Sequence, residues 1–182
     1  ATPLLDAGES FRLEQLSLSL RLGEVLMIVG SSGSGKSSLL LALLQEMPQV
    51  SGDIRCPSTP VPYTPQVPPI FSGSIQENIL LGLPFEATIY KQVIKACDLE
   101  VDFKTMPLGD STDIGTGQTV STGQRARIAL ARAVYCLLVR QCSLLLLDDP
   151  FAALDLATSD LVCERLFGPA GLASHTAVVL CS

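Results

Sequence analysis

Gly30-Ser31-Ser32-Gly33-Ser34-Gly35-Lys36-Ser37-Ser38 decides the reading of this chain. The run fits G-x-x-x-x-G-K-[ST], with Gly35, Lys36 and Ser37 at its fixed end. Glu24 to Val29, just before it, reads as a buried strand, and Leu39 to Leu44, just after it, reads as the opening turns of a helix. A glycine-rich turn between strand and helix lets the backbone close around an anion. Its N–H groups point inward, and the helix N-terminus adds the positive end of a dipole. In such a loop Lys36 reaches the β- and γ-phosphates of a nucleotide, and the Ser37 hydroxyl ligates Mg²⁺. A Gly/Ser linker has the same composition but lacks the flanking strand and helix.

Bulk properties narrow the classes. A chain of 182 residues fits one domain with a sizeable core. Hydrophobic residues make up 47% and charged ones 16%, which argues for a folded domain over disorder. The net charge of −6 argues against a nucleic-acid groove. No apolar run approaches the ~18–20 residues that cross a bilayer. No basic-then-apolar leader opens the chain, so no signal peptide is expected. The six cysteines form no C-x-x-C pair, and His175 is the single histidine. They read as reduced thiols acting as small hydrophobes.

The pattern along the chain alternates strands with helices. Phe11 to Leu22 alternates apolar and polar residues and predicts a half-exposed antiparallel strand ahead of a central parallel one. Residues 57–69 hold six of the twelve prolines, which leaves room only for short extended pieces around Gln66. Residues 73–106 read as helical, opened by capping-box spacing in Ser74-Ile75-Gln76-Glu77. Gly109 to Thr122 reads as loop and Gly123 to Val139 as a long helix. Ser143 to Leu147 is a buried strand, Leu156 to Phe167 a helix, and Thr176 to Leu180 a last buried strand. The expected fold is α/β, a parallel sheet covered on both faces, with its ligand at the carboxyl ends of the strands.

Leu144-Leu145-Leu146-Leu147-Asp148-Asp149 supplies the second half of a phosphate site. An acid at a strand end can hold Mg²⁺, here Asp148. The next acid is placed to polarise an attacking water, and here it is Asp149, one methylene shorter than glutamate. A general base must come within ~2.6–3.2 Å of its proton, and base catalysis is worth ~10²–10⁴-fold. A shortened arm can therefore lose turnover while binding survives.

With these motifs in this order, the chain resembles an ABC transporter nucleotide-binding domain nearly end to end. The resemblance rests on Gly30–Ser38, on Gln66 with Phe71 to Asn78, on Val120-Ser121-Thr122-Gly123-Gln124, on the Asp148 strand and on Ala153-Leu154-Asp155. It is closer still to the first such domain of the multidrug-resistance-protein group, the C subfamily. Residues 72–82, Asp148-Asp149-Pro150 and Gly168 to Gly171 carry that narrower likeness. The resemblance implies a P-loop NTPase with a RecA-like parallel core, an antiparallel β edge subdomain and an inserted helical subdomain. It implies one domain over 1–182, with the core at roughly 11–72 and 138–182 and the helical part at roughly 73–137.

By the same carry-over, Gly30 to Ser38 cradle ATP, and Ser37, Gln66 and Asp148 attend Mg²⁺. Asp149, Gln66 and Ser182 occupy the catalytic positions. Ser121, Thr122, Gly123 and Gln124 clamp ATP bound to a second nucleotide-binding domain in a head-to-tail pair, and Asp155 lies at the seam. The other implied partners are transmembrane domains, with this domain at the cytosolic face of a membrane and no nucleic acid involved.

Three departures qualify the likeness. The usual LSGGQ is VSTGQ here, so β-branched Thr122 replaces a glycine. Either that position needs no positive φ or the clamp is looser. The family's switch histidine falls on Ser182, the final residue, so the chain reads as a fragment. No aromatic lies within residues 1–10 to stack on adenine, and Phe11 comes a few residues late. The reading is an ATP-binding half of an exporter whose own site hydrolyses weakly. A competent transport ATPase, a nucleotide-gated regulatory module and a soluble ABC protein acting on nucleic acid or ribosomes remain as alternatives.

Overall fold

Residues 144–147 and 177–181 hold no charged side chain, and only a strand covered on both faces can bury every position of such a run. Both form the middle of a sheet in the computed structural model, which describes residues 12–114 and 120–182. In chain order the elements are β1 (Val25–Ile28), α1 (Lys36–Leu43), β2 (Tyr63–Thr64), β3 (Gly73–Ser74), α2 (Ile75–Leu80), α3 (Ala87–Ala96), α4 (Glu100–Thr105), β4 (Asp113–Ile114), α5 (Thr122–Val139), β5 (Leu144–Asp148), α6 (Leu156–Phe167) and β6 (Ala177–Cys181). The main sheet runs β1-β6-β5-β2, and each neighbouring pair is parallel. Registers Leu26↔Val179, Leu147↔Leu180 and Thr64↔Leu147 bring the carboxyl ends of all four strands to one edge.

Alternation along β5 and β6 feeds two cores. Leu145, Leu147, Val178 and Leu180 face one side and join Ile75, Ile79, Val93, Ile114, Ile128 and Val162 in a single cluster. Leu144, Leu146, Ala177, Val179 and Cys181 face the other and close over Leu40 of α1. Leu146 is fully buried, and truncating such a side chain to alanine costs ~2–5 kcal/mol. The helical stretch is therefore packed directly on the sheet.

The helices begin and end where local chemistry says they should. Ser74 caps α2 and Ser121 caps α5, each in a reciprocal capping box, with Glu77 and Gln124 respectively. The single helical run expected over 73–106 is broken into α2, α3 and α4. Leu81 turns left-handed (φ 42°) ahead of Gly82 and Pro84, Asp98 does so (φ 55°) after α3, and Pro107 follows α4. The segment read as loop from Gly109 contains a 3-10 turn at Gly109–Ser111 and β4, which pairs antiparallel with β3. Thr122, placed in that loop, is instead the first residue of α5.

Two strand expectations are corrected. Residues 12–22 form no strand, and the sheet has no antiparallel member on its β1 side among the described residues. The alternation slips where Gln15 and Leu16 break the period, and Gln15 adopts φ 56°, which an extended strand cannot contain. Leu16, Leu18 and Leu22 are exposed as a result. β1 is also not the central, buried strand expected. It stands at the sheet edge, with Val25 45% and Met27 59% exposed. An apolar composition reveals a strand but not how many neighbours it has. Phe11, the nearest aromatic for stacking a base, lies outside the described residues.

Candidate nucleotide-binding site

The loop from Val29 to Gly35 joins β1 to α1 at the carboxyl edge of the sheet. Gly35 caps α1 at φ 99° and Gly33 sits at φ 79°, both in the left-handed region that side chains resist. A Cβ on Gly33 would meet nothing, so that glycine supplies a dihedral angle. A Cβ on Gly30 would lie 2.9 Å from Ser34 Oγ, so that glycine supplies room. The Ser34 amide donates to the Ser31 carbonyl at 3.2 Å and tightens the turn. Lys36 Nζ donates to the carbonyls of Gly30 (2.6 Å) and Ser31 (3.1 Å), which lays a positive charge across the loop. No side chain caps the N-terminus of α1, so its first-turn amides and dipole face the same loop. Ser31, Ser32 and Ser37 are exposed, and Ser38 is half-buried.

Asp148 ends β5 with only 4% exposure and pairs in register with Cys181 of β6. Tyr63 is in register with Leu146, two residues before Asp148, so phenol and carboxylate share a face. Burial first, then the Asp148 charge, pushes the phenol up to about 12. The Cys181 thiol donates to the Lys36 carbonyl at 3.6 Å. Asp149 follows at φ 50°, and its amide donates to the Cys181 carbonyl at 2.8 Å. Aspartate tolerates this left-handed conformation better than most residues do. The Ser182 amide donates to the Ile28 carbonyl at 3.0 Å, so Ser182 sits at the mouth of the loop. Gln66 is exposed two residues beyond β2, off the same edge. His175 is exposed at the other end of β6.

These groups fit a magnesium nucleotide. The amides and ammonium at the loop suit phosphate oxygens. Ser37, Asp148 and Gln66 offer oxygen donors, the chemistry of a hard divalent cation.

Ser121 to Gln124 form the start of α5, apart from the loop. Helix α5 has 18 residues and β5 has five, so α5 spans about 27 Å and β5 about 17 Å. The two run antiparallel with a short connection, which sends the α5 N-terminus beyond the carboxyl edge. Thr122 stands at the first helical position without positive φ, so the substitution for glycine is unstrained. Gly123 does need its size, because a Cβ there would sit 3.1 Å from the Ala153 carbonyl. Asp155 N-caps α6, with its carboxylate accepting from the Thr158 amide (3.0 Å) and hydroxyl (2.7 Å). Those bonds hold its carboxyl below the usual range, the amide contributing most. Sequence reasoning missed Tyr63 and Cys181 beside Asp148. The short β-compatible stretch before Gln66 was the signal for Tyr63, and the apolar run of the last strand was the signal for Cys181.

A parallel sheet whose glycine-hinged loop opens onto an uncapped helix, with an acid closing a nearby strand, defines a P-loop nucleotide-binding protein. The chain belongs to the ABC transporter family, which its sequence matches over residues 13–152, and it represents that family's ATP-binding domain. Its relatives bear out the resemblance to the C subfamily. It is 46% identical to the cystic fibrosis transmembrane conductance regulator of Danio rerio, over 84% of this chain and 10% of that one. It is 45% identical to ATP-binding cassette sub-family C member 4 of Mus musculus, over 82% and 11% respectively. The probable multidrug resistance-associated protein lethal(2)03659 of Drosophila melanogaster is 43% identical, over 80% and 10%. The chain thus spans about a tenth of the length of these relatives. No helix among the described residues is long and apolar enough to cross a membrane.

Proposed function

We propose that this chain is one half of a head-to-tail pair of nucleotide-binding domains at the cytosolic face of an exporter, and that its own site binds Mg-ATP but turns it over slowly. Gly30 to Ser38 cradle the phosphates, with Lys36 exchanging its loop carbonyls for phosphate oxygens. Ser37, Gln66 and Asp148 hold Mg²⁺, and the ion neutralises phosphate charge when bound. Asp149 stands in the position of the base, one methylene short, and Ser182 stands where an imidazole would reach the γ-phosphate. Ser121 to Gln124 clamp ATP on the partner domain, Asp155 lines the seam, and Gln66 couples the site to transmembrane domains. A distinct helical subdomain over roughly 73–137 belongs to this same reading.

One observation carries the proposal: the uncapped, lysine-crossed loop and Asp148 meet at one edge of the parallel sheet. Titration with a fluorescent ATP analogue in Mg²⁺ tests it. Saturable binding is expected, weakened more than about tenfold by Lys36→Ala. No saturable binding at millimolar nucleotide overturns the reading. Fast phosphate release by the chain alone would overturn the slow-site part and favour a competent ATPase. The likeness to a protein named as a conductance regulator supports a nucleotide-gated module as a second reading, with the same site chemistry.

A further inference from the structure

We propose that Asp102 is a positioning residue for the clamping end of α5, and that it acts by fixing which way round the Gln124 amide lies. The proposal rests on the reading of Ser121 to Gln124 as the clamp. Gln124 is bonded at both ends of its side chain. Its Oε1 accepts from the Ser121 amide at 2.9 Å, closing the capping box, while the Ser121 hydroxyl accepts from the Gln124 amide at 3.1 Å. Its Nε2 donates to Asp102 Oδ1 at 2.8 Å. Turned over, the same side chain would present NH₂ to the Ser121 N–H, donor against donor, and the box would open.

A carboxylate accepts and never donates when ionised, so Asp102 admits only the orientation that closes the box. Asp102 is itself pinned. Arg127 NH1 lies 2.7 Å from its Oδ2 and NH2 lies 3.3 Å from its Oδ1, and both side chains are 13% exposed. Arg127 also donates to the Asp98 carbonyl, and Asp98 Oδ1 accepts from Arg165 of α6 at 3.1 Å. Asp102 lies on α4, Arg127 and Gln124 on α5, and Arg165 on α6. The first turn of α5, whose amides would face a phosphate, is thus oriented by a charge from another helix. A shift of α4 would reach the clamp through two hydrogen bonds.

The experiment uses an isosteric change and its compensation. In Asp102→Asn the remaining oxygen stays with the Arg127 guanidinium, so the new NH₂ faces Gln124 and turns its amide over. Adding Gln124→Glu supplies two acceptor oxygens, one for the introduced NH₂ at position 102 and one for the Ser121 amide. Hydrogen exchange at the Ser121 amide is read by NMR in the free chain, with Ile128 and Leu146 amides as internal references. Asp102→Asn should speed Ser121 exchange about tenfold, leave the references unchanged and shift the Gln124 side-chain NH₂ signals. The double variant should restore slow exchange. Unchanged Ser121 exchange in the single variant overturns the proposal. So does equal acceleration at the references, or failure of the double variant to restore protection. No nucleotide enters this experiment, so its failure is separable from failure of the ATP-binding reading.

Discussion

The Cys181 thiol donates to the carbonyl of Lys36 at 3.6 Å, tying the last strand of the sheet to the first residue of the phosphate-loop helix. Cys181 is fully buried and lies beside Asp148 in the sheet register, and its carbonyl accepts from the Asp149 amide. One small residue therefore touches loop and acidic edge together. Burial first, then Asp148, pushes its thiol up to about 11, against a smaller opposing pull from Lys36.

Thiols raised in this way make the fold sensitive to alkali. Burial pushes Cys97 up to about 12 and Cys142 up to about 11, against an ordinary value of 9.0. A group whose folded pKa is raised contributes stability that is complete below its unfolded pKa and is lost as pH climbs toward the folded one. The window is therefore about pH 9 to 11 for Cys142 and about pH 9 to 12 for Cys97. The unfolding midpoint should fall by at least about 5 °C between pH 8 and 10.5, since each ~1 kcal/mol moves it ~2–4 °C at this size. Cys97→Ala should flatten that slope, as followed by circular dichroism. A slope the same in this variant sinks the argument.

How much of this was legible in the sequence depended on where each residue's partners lie. β5, α5 and α6 were readable because their evidence is internal: an all-apolar run, a cap, a helical period. The loop was readable because its motif carries its own geometry. The edge position of β1 was not, since it depends on which strands pair, and pairing with β6 joins residues far apart in the chain. Residues 12–22 misled because alternation alone does not supply a neighbouring strand. Asp102 was invisible for a similar reason. Its bond to Gln124 spans 22 residues and exists only once α4 packs beside α5.

If Asp149 stands in the base position as proposed, its backbone sets up a trade between stability and turnover. At φ 50° aspartate is tolerated where most side chains are strained. Asp149→Glu lengthens the arm toward the water position but loses that tolerance, at a cost of about 1 kcal/mol. The midpoint should drop by ~2–4 °C. Single-turnover hydrolysis in the assembled pair should rise about tenfold or more, because a base brought within reach contributes ~10²–10⁴-fold. Unchanged hydrolysis would show that arm length is not limiting, and Ser182→His would become the variant to measure.

Thr122 and Gly123 are adjacent but respond to opposite constraints. Thr122 is helical and exposed, so Thr122→Gly relieves no strain and removes a side chain from the first turn. Stability should change by about 0.5 kcal/mol or less, with the capping-box amides unmoved. Gly123→Ala gains up to ~1 kcal/mol of helix propensity but places a Cβ 3.1 Å from the Ala153 carbonyl. The exposed 152–153 segment must give way. Amide shifts at Ala153 and Leu154 should move in Gly123→Ala and stay put in Thr122→Gly. The reverse pattern would contradict the close approach of these segments.

Asp155 caps α6, and the proposed place of its charge at a domain seam can be separated from that cap by substitution. Its carboxylate caps α6 through Thr158, and those hydrogen bonds depress its pKa, so the cap contributes fully above the unfolded value of about 4 and is lost as pH falls below it. Asparagine caps a helix about as well as aspartate but carries no charge. Asp155→Asn should keep the neutral-pH midpoint of the parent chain and reduce its loss as pH falls below about 4. Asp155→Ala should lower the midpoint at neutral pH, because the Thr158 amide then has no side-chain acceptor. If the seam depends on the charge, Asp155→Asn should weaken ATP-dependent pairing with a second domain in sedimentation while leaving the fold intact. If the residue is only a cap, pairing should be unchanged in Asp155→Asn and reduced only in Asp155→Ala, in step with the lost helix turn.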